Sequence, residues 1–175
     1  VRLASPLNPF AKRLKALNAK RVKTDDDRYE IAHVEWEGGF YFDEEIGPYL
    51  PGPSIYRCLI DGARLTKAGK KIERGVTMCE LVHPLIYKGP RDLDGLWGKG
   101  ESEFVDIRTA RVGTSKIDRC RPIFRNWGFE ADCLIDPNVI DFEEFGEVVK
   151  NAGEMSGVGD YRLMYGRFTA EVTRL

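Results

Sequence analysis

The sequence contains few of the residues that build metal, cofactor or disulfide sites. It has only 2 histidines and 4 cysteines in 175 residues. The cysteines are scattered, at Cys58, Cys79, Cys120 and Cys133. Because they form no CxxC pair and no closely spaced Cys/His quartet, we interpret them as free thiols of a reducing compartment. The composition therefore predicts neither a metal ion nor a cofactor.

Long hydrophobic runs are also missing. No apolar run approaches the roughly 18 residues of a membrane span, and no signal peptide is visible in this sequence. Hydrophobic residues make up 42% of the chain and charged residues 31%, as in soluble globular proteins. The sequence therefore predicts one domain over 1–175 and no membrane partner.

The formal net charge of -1 hides a strong segregation of charge. Residues 1–24 carry seven basic side chains and no acidic one, whereas residues 25–45 carry nine acids against Arg28 alone. Such asymmetry is expected of a polyanion-binding face beside an acidic subunit contact. A helical hairpin that pairs its own charges is the other interpretation.

A second basic stretch covers residues 108–127, with six basic side chains against Asp118. Side chains alternate in an extended segment, so Arg119 and Arg121 are predicted to share one face, as a strand that tracks phosphates requires. Trp97 stands out in the Gly-rich loop 89–100. It is either a base-stacking finger or packed back onto the protein.

Periodicity and capping signals predict an α+β fold. Strands are expected at 1–7, 74–87, 129–135 and 168–175, and helices at 54–68 (capped by Ser54) and 141–153 (capped by Asp141). Excluding insertions at about 9–50 and 88–125, the order is that of a ferredoxin-like (RRM-like) antiparallel sheet with two core helices. The first insertion is predicted to be a helical hairpin with a cap at Thr24, and the second an extended, thumb-like element.

The most informative stretch is GVGDYRLMYGRF, residues 157–168, between the second core helix and the closing strand. Glycine permits positive φ and close approach of a ligand to the backbone. Arginine offers planar donors to phosphate, and tyrosine offers a face to a base. A plain turn is the alternative interpretation.

These residues carry a resemblance. A ferredoxin-like core with a Gly-rich loop that ends in Gly166, Arg167 and Phe168 resembles the RAMP superfamily, in particular the backbone subunits that polymerise along CRISPR guide RNA. The chain also resembles small phage-encoded relatives of those subunits through PFAKRLKAL, KRVKTDDD, EWEGG, YKGPRDLDGLW and RCRPIFRNW.

The resemblance implies a non-catalytic protein that grips a single strand without sequence preference and oligomerises head to tail, as a filament or ring, in the cytoplasm of a bacterial host cell. The strand is either phage single-stranded DNA or a guide RNA. The residues expected to bind it are Lys12, Lys20, Arg21, Lys23, Arg119, Arg121, Gly157, Gly159, Tyr161, Arg162, Tyr165 and Arg167, converging on one groove.

Two other functions fit parts of the sequence. A RAMP-type endoribonuclease needs a general base beside the scissile 2′-hydroxyl, and only His33 and His83 are candidates. A phage structural or assembly protein would use the acidic 25–45 segment as a subunit contact. We expect no enzyme activity, because no constellation of catalytic residues is recognisable.

Overall fold

The computed structural model describes residues 3, 5–162 and 164–175, without the side chains of residues 112 and 115. These residues form α-helices and small antiparallel sheets, so the α+β class is confirmed. The helices are α1 (Pro9–Asn18), α2 (Asp25–Glu37), α3 (Gly52–Arg64), α4 (Gly69–Gly75), α5 (Leu93–Trp97) and α6 (Phe142–Asn151), with a 3₁₀ turn at Gly98–Gly100 and a π-helical turn at Ala152–Ser156.

The strands are short apart from one long hairpin. They are β1 (Tyr41–Asp43), β2 (Gly47–Pro51), β3 (Val76–Met78), β4 (Val82–Pro84), β5 (Ile86–Tyr87), β6 (Val105–Val112), β7 (Ser115–Pro122), β8 (Trp127–Gly128) and β9 (Cys133–Ile135). β1 pairs with β2, β6 with β7, and β3 with β9, all antiparallel. The segment 74–87, predicted to be a strand, contains three short strands, β3, β4 and β5.

The chain divides into two compact units. Unit 1 comprises Val1–Tyr49 and Leu85–Trp127, and unit 2 comprises Leu50–Pro84 and Gly128–Leu175. The two ranges that the sequence sets apart as insertions, 9–50 and 88–125, coincide within a few residues with unit 1. The helical hairpin and the thumb-like element therefore fold together.

Unit 1 is built on the helical hairpin and the β6–β7 hairpin. The capping box at Thr24 is confirmed: the Asp27 backbone N–H donates to the Thr24 hydroxyl over 3.2 Å, and the Thr24 N–H donates to the Asp27 carboxylate over 3.0 Å. Trp36, fully buried on α2, donates its indole N–H to the Phe104 carbonyl over 3.0 Å. The core is completed by Leu96, Trp97, Phe104 and Cys120.

Unit 2 is built on the packing of α3 against α6 and the π-helical turn. Gly62 allows this approach, because a Cβ there would lie 2.5 Å from the Ala152 nitrogen. Asp141 caps α6 as predicted, accepting from the Glu144 backbone N–H over 2.8 Å. The buried side chains Ile55, Leu59, Phe145 and Val148 form much of the core between the helices.

Four predictions about local structure need correction. The segment 168–175 has no strand and pairs with none of the described strands; its Arg174 guanidinium lies 4.7 Å from the ring centroid of Phe142 on α6. The loop 89–100 contains α5, which Asp92 caps by accepting from the Gly95 N–H over 2.7 Å.

Ser54 does not cap α3, since the helix begins two residues earlier, after Pro51. The predicted end of α3 near Ala68 is also wrong: α3 ends at Arg64, and a separate helix, α4, begins at Gly69. The predicted opening strand at 1–7 lies partly outside the described residues; within them, Pro6 and Leu7 form a turn.

Candidate nucleic-acid interface

The basic helix α1 and its flank carry four of the predicted binding residues. Lys12 and Arg21 are exposed. Lys20 forms an ion pair with Asp27, which raises the pKa of Lys20 and lowers that of Asp27 through their side-chain hydrogen bond. Lys23 donates to the carbonyls of Asn18 and Lys20 over 3.3 and 3.2 Å. Much of this positive charge is therefore engaged within the hairpin.

The β6–β7 hairpin carries Arg119 and Arg121, two residues apart on one strand as predicted. Arg119 donates to Glu35 over 2.6 Å, and the other carboxylate oxygen of Glu35 accepts from the Cys120 backbone N–H over 3.0 Å. Glu35 is 7% exposed, so this contact ties β7 to α2 inside unit 1. The charge of Arg119 is therefore paired within unit 1, where it helps to hold β7 on α2. Arg121 is exposed.

The glycine loop holds the other six predicted residues, all in unit 2. Gly157 and Gly166 both have positive φ, at 72° and 73°, and face each other, with the Val158 N–H donating to the Gly166 carbonyl over 2.8 Å. A Cβ on Gly166 would lie 1.7 Å from the Val158 oxygen. These two glycines therefore close the loop on itself. Gly159, with φ 93°, has open space where a Cβ would lie, so its backbone is accessible to a ligand.

The closed loop presents its aromatic and basic side chains to solvent. Tyr161 and Tyr165 are 51% and 38% exposed, with ring centroids 6.1 Å apart. Arg167 is exposed and makes no ion pair among the described residues. Tyr161, Arg162 and Arg167 border a depression of about 400 Å³, whose other lining residues are Asp61, Met155, Ser156 and Asp160.

Asp61 and Arg162, which line this depression, belong to a charged cluster that the sequence prediction missed. Asp61, on α3, accepts hydrogen bonds from Arg64 over 2.9 Å and from Arg162 over 3.1 Å, and it forms an ion pair with Arg57 over 3.2 Å. Three guanidinium groups thus share one carboxylate, which leaves a local excess of two positive charges. The spacing of Arg57, Asp61 and Arg64 along one face of a helix was a usable signal.

The cysteine and histidine side chains are placed for packing. Burial raises the pKa of Cys58, the thiol next to this cluster, to about 11, so it stays protonated at neutral pH. His83 is fully buried, with its ring nitrogens 3.0 and 3.1 Å from the Glu130 and Glu80 carbonyls. His33 lies 4.7 Å from Trp97 between ring centroids.

Trp97 itself is 7% exposed and donates its indole N–H to the Tyr29 hydroxyl over 2.7 Å. The stacking-finger interpretation of Trp97 is therefore wrong, because its ring is packed in the core of unit 1. Among the described residues, no group of three His, Cys, Asp or Glu side chains has the arrangement of a metal site. The helices within the described ranges also include none long and apolar enough to cross a membrane.

Of the twelve predicted binding residues, six lie in unit 1 and six in unit 2. Convergence of all twelve on one groove stays a prediction. The cluster on Asp61 adds Arg57 and Arg64 to the group in unit 2.

Comparison with known proteins gives no match to this chain among family models, curated proteins or solved structures.

Proposed function

We propose that this chain is a non-catalytic protein that binds single-stranded nucleic acid and oligomerises along the strand. One observation carries the proposal: the glycine loop presents the exposed rings of Tyr161 and Tyr165 beside a cluster in which three arginines share Asp61. Guanidinium groups bind phosphate oxygens in pairs of hydrogen bonds, and tyrosine rings stack on bases of any sequence. This pairing of chemistries fits a strand with unpaired bases better than a small anion.

The fold around the loop supports the same proposal. In unit 2 the order is α3, α4, β3, β4, β9, α6, with β3 antiparallel to β9 and α3 packed on α6. Without α4 and β4, this is the central half of a ferredoxin-like order. The loop follows α6, which is the position that the RAMP resemblance assigns to strand binding. We therefore keep a ferredoxin-like core, with a head-to-tail homo-oligomer in the bacterial cytoplasm, as part of the proposal.

The absence of enzyme activity is also part of the proposal. His83 is fully buried and His33 packs on Trp97, so neither imidazole lines the depression. A general base must reach the proton that it abstracts. A nuclease would thus need a base other than these two.

Binding is tested by fluorescence anisotropy with labelled single-stranded DNA, single-stranded RNA and duplex of equal length. We expect binding to both or one of the single strands, with affinity that falls steeply with salt. Arg167→Gln should weaken it about fivefold, by analogy with loss of one phosphate contact. Arg74→Gln, on the exposed surface of α4 in the same unit, is the matched control.

Electron microscopy of the same samples tests the oligomer. Filaments or rings that need the strand support the proposal. Full assembly of the purified protein without nucleic acid, together with no anisotropy change, would instead favour a structural or assembly protein.

A further inference from the structure

The arginine cluster has an arrangement that ordinary surface ion pairs lack. Elsewhere in unit 2, Lys71 meets Glu144 one to one, over 2.7 Å. At Asp61, three guanidinium groups converge on one carboxylate from two distant parts of the chain, α3 and the glycine loop. Convergent arginines are the usual protein site for an oxyanion.

The carboxylate lies deeper than the arginines. The Asp61 side chain is 19% exposed, whereas those of Arg57, Arg64 and Arg162 are 57%, 56% and 43% exposed. Each guanidinium has five N–H donors in a planar fork, and Asp61 receives one hydrogen bond from Arg64 and one from Arg162. Most of the donors of the three half-exposed arginines therefore do not bind Asp61.

We propose that this cluster is a phosphate site for one phosphodiester of the bound strand, with Asp61 as an internal anion that competes with it. The inference rests on the proposed function. Asp61 holds the three arginines together in the free protein and offsets one of their charges. A strand phosphate then takes up the remaining donors against the repulsion of the carboxylate.

The direction of the effect follows from Coulomb's law. A like charge within a few ångströms of the bound phosphate opposes binding, and this short-range repulsion is screened less than interactions beyond about 8–10 Å. Removal of the Asp61 charge should therefore strengthen strand binding. If Asp61 only positioned the arginines, its removal would let them separate and would weaken binding.

The test compares Asp61→Asn with Glu147→Gln, which changes the net charge equally but lines a different depression, beside α6. Asn keeps the size of the side chain and one acceptor oxygen. We expect Asp61→Asn to bind a single-stranded oligonucleotide about tenfold more tightly at 0.1 M salt, with a slope of log K against log salt steeper by about 0.7, as for one more neutralised phosphate. Glu147→Gln should change affinity less than about twofold, since its charge is remote from the cluster.

Inorganic phosphate, titrated by calorimetry, is the second ligand. If Asp61→Asn binds both the strand and inorganic phosphate more tightly than the wild-type protein, the proposal is supported. A gain for inorganic phosphate alone assigns the cluster to a free ion and overturns the strand claim, as does an unchanged or weakened affinity of Asp61→Asn for the strand.

Thermal unfolding of each variant shows that its fold is intact, and Asp61→Ser repeats the test if Asp61→Asn unfolds. The two proposals fail differently. If the wild-type protein binds no strand, the proposed function fails. If it binds the strand and Asp61→Asn behaves like Glu147→Gln, the proposed phosphate site at Asp61 fails and the proposed function stands.

Discussion

The two basic regions of the molecule treat their charges in opposite ways. In unit 1, the cations of the hairpin pair with acids one to one: Arg13 with Glu30 over 2.9 Å, Lys20 with Asp27, and Arg119 with Glu35 over 2.6 Å. In unit 2, three arginines share Asp61.

This difference shows that a count of basic residues does not measure the charge available to a ligand. Residues 1–24 have the larger positive charge in the sequence, yet two of their cations, Arg13 and Lys20, pair with acids of the following helix. The Asp61 cluster does not lie in a run of basic residues in the sequence, yet it has a local excess of positive charge. Variants of the two regions can separate charges that hold the fold from charges that are available to bind.

The largest effect on stability is expected for Glu35→Ala. Its buried carboxylate binds both Arg119 and the Cys120 backbone N–H, so its loss leaves two donors without their acceptor. We expect unfolding to become easier by about 3 kcal/mol, discounted for the partial exposure of Arg119. Urea denaturation measures this. Glu30→Ala, at an exposed pair, should cost under about 1 kcal/mol, and equal losses would refute the distinction.

Gly166→Ala, in unit 2, should have the second largest effect on stability. Its φ of 73° is unfavourable for alanine, and the added Cβ would collide with the Val158 carbonyl. We expect the free energy of unfolding to fall by about 2–3 kcal/mol, and strand binding to weaken because the loop opens. Gly159→Ala is the control with positive φ but open space, and should cost about 1 kcal/mol. Similar losses for both variants would contradict the closed loop.

The Lys20–Asp27 pair predicts a pH dependence in unit 1. The hydrogen bond from Lys20 lowers the pKa of Asp27 below its ordinary 3.8 and raises that of Lys20 above 10.5. The carboxylate's contribution to stability is therefore present above pH 3.8 and lost as the pH falls through the lowered pKa. The contribution from Lys20 is complete below pH 10.5 and lost as the pH rises through the raised pKa.

Thermal unfolding from pH 2 to pH 7 checks the acid side. Asp27→Asn should flatten the profile below pH 4, while Asp26→Asn, an exposed neighbour in the same helical turn, should leave it unchanged. A flat wild-type profile would contradict the assignment.

The smallest effects concern the thiols. Burial raises the pKa values of Cys58 and Cys120 to about 11 and about 12, and Cys79 is exposed. We expect a disulfide reagent at pH 8 to label Cys79 first, leaving Cys58 and Cys120 to report the opening of unit 2 and unit 1. Peptide mass mapping over time identifies each thiol, and early labelling of Cys120 would contradict the packing of unit 1.

Local signals explain what could be predicted from the sequence. Thr24 and Asp27 specify the start of α2, and Asp141 that of α6, because each cap acts within three residues. The closing strand was not predictable in the same way: an alternating pattern does not show that a partner strand is present, and none of the described strands pairs with 168–175.

The candidate site was predictable only in part, for a similar reason. Arg162 and Arg167 follow from the loop motif, and Arg57 and Arg64 from helical spacing. The contact of Arg162 with Asp61 joins residues 101 positions apart and depends on how α3 packs beside the loop. Conversely, the burial of Trp97 depends on Tyr29, 68 positions away.

The most direct test of the account compares two triple variants at equal net charge. The first triple variant removes the Asp61 cluster by changing Arg57, Arg64 and Arg162 to Gln. The second triple variant changes Arg13, Arg28 and Lys71 to Gln, and so removes three cations that each pair with a carboxylate of their own. The measurement is single-strand affinity over a series of salt concentrations. We expect the first triple to reduce the salt slope by about 0.7, as for loss of one neutralised phosphate, and the second to leave it nearly unchanged. Equal reductions in both would contradict the account, because they would mean that total charge, and not the sharing of Asp61, decides binding.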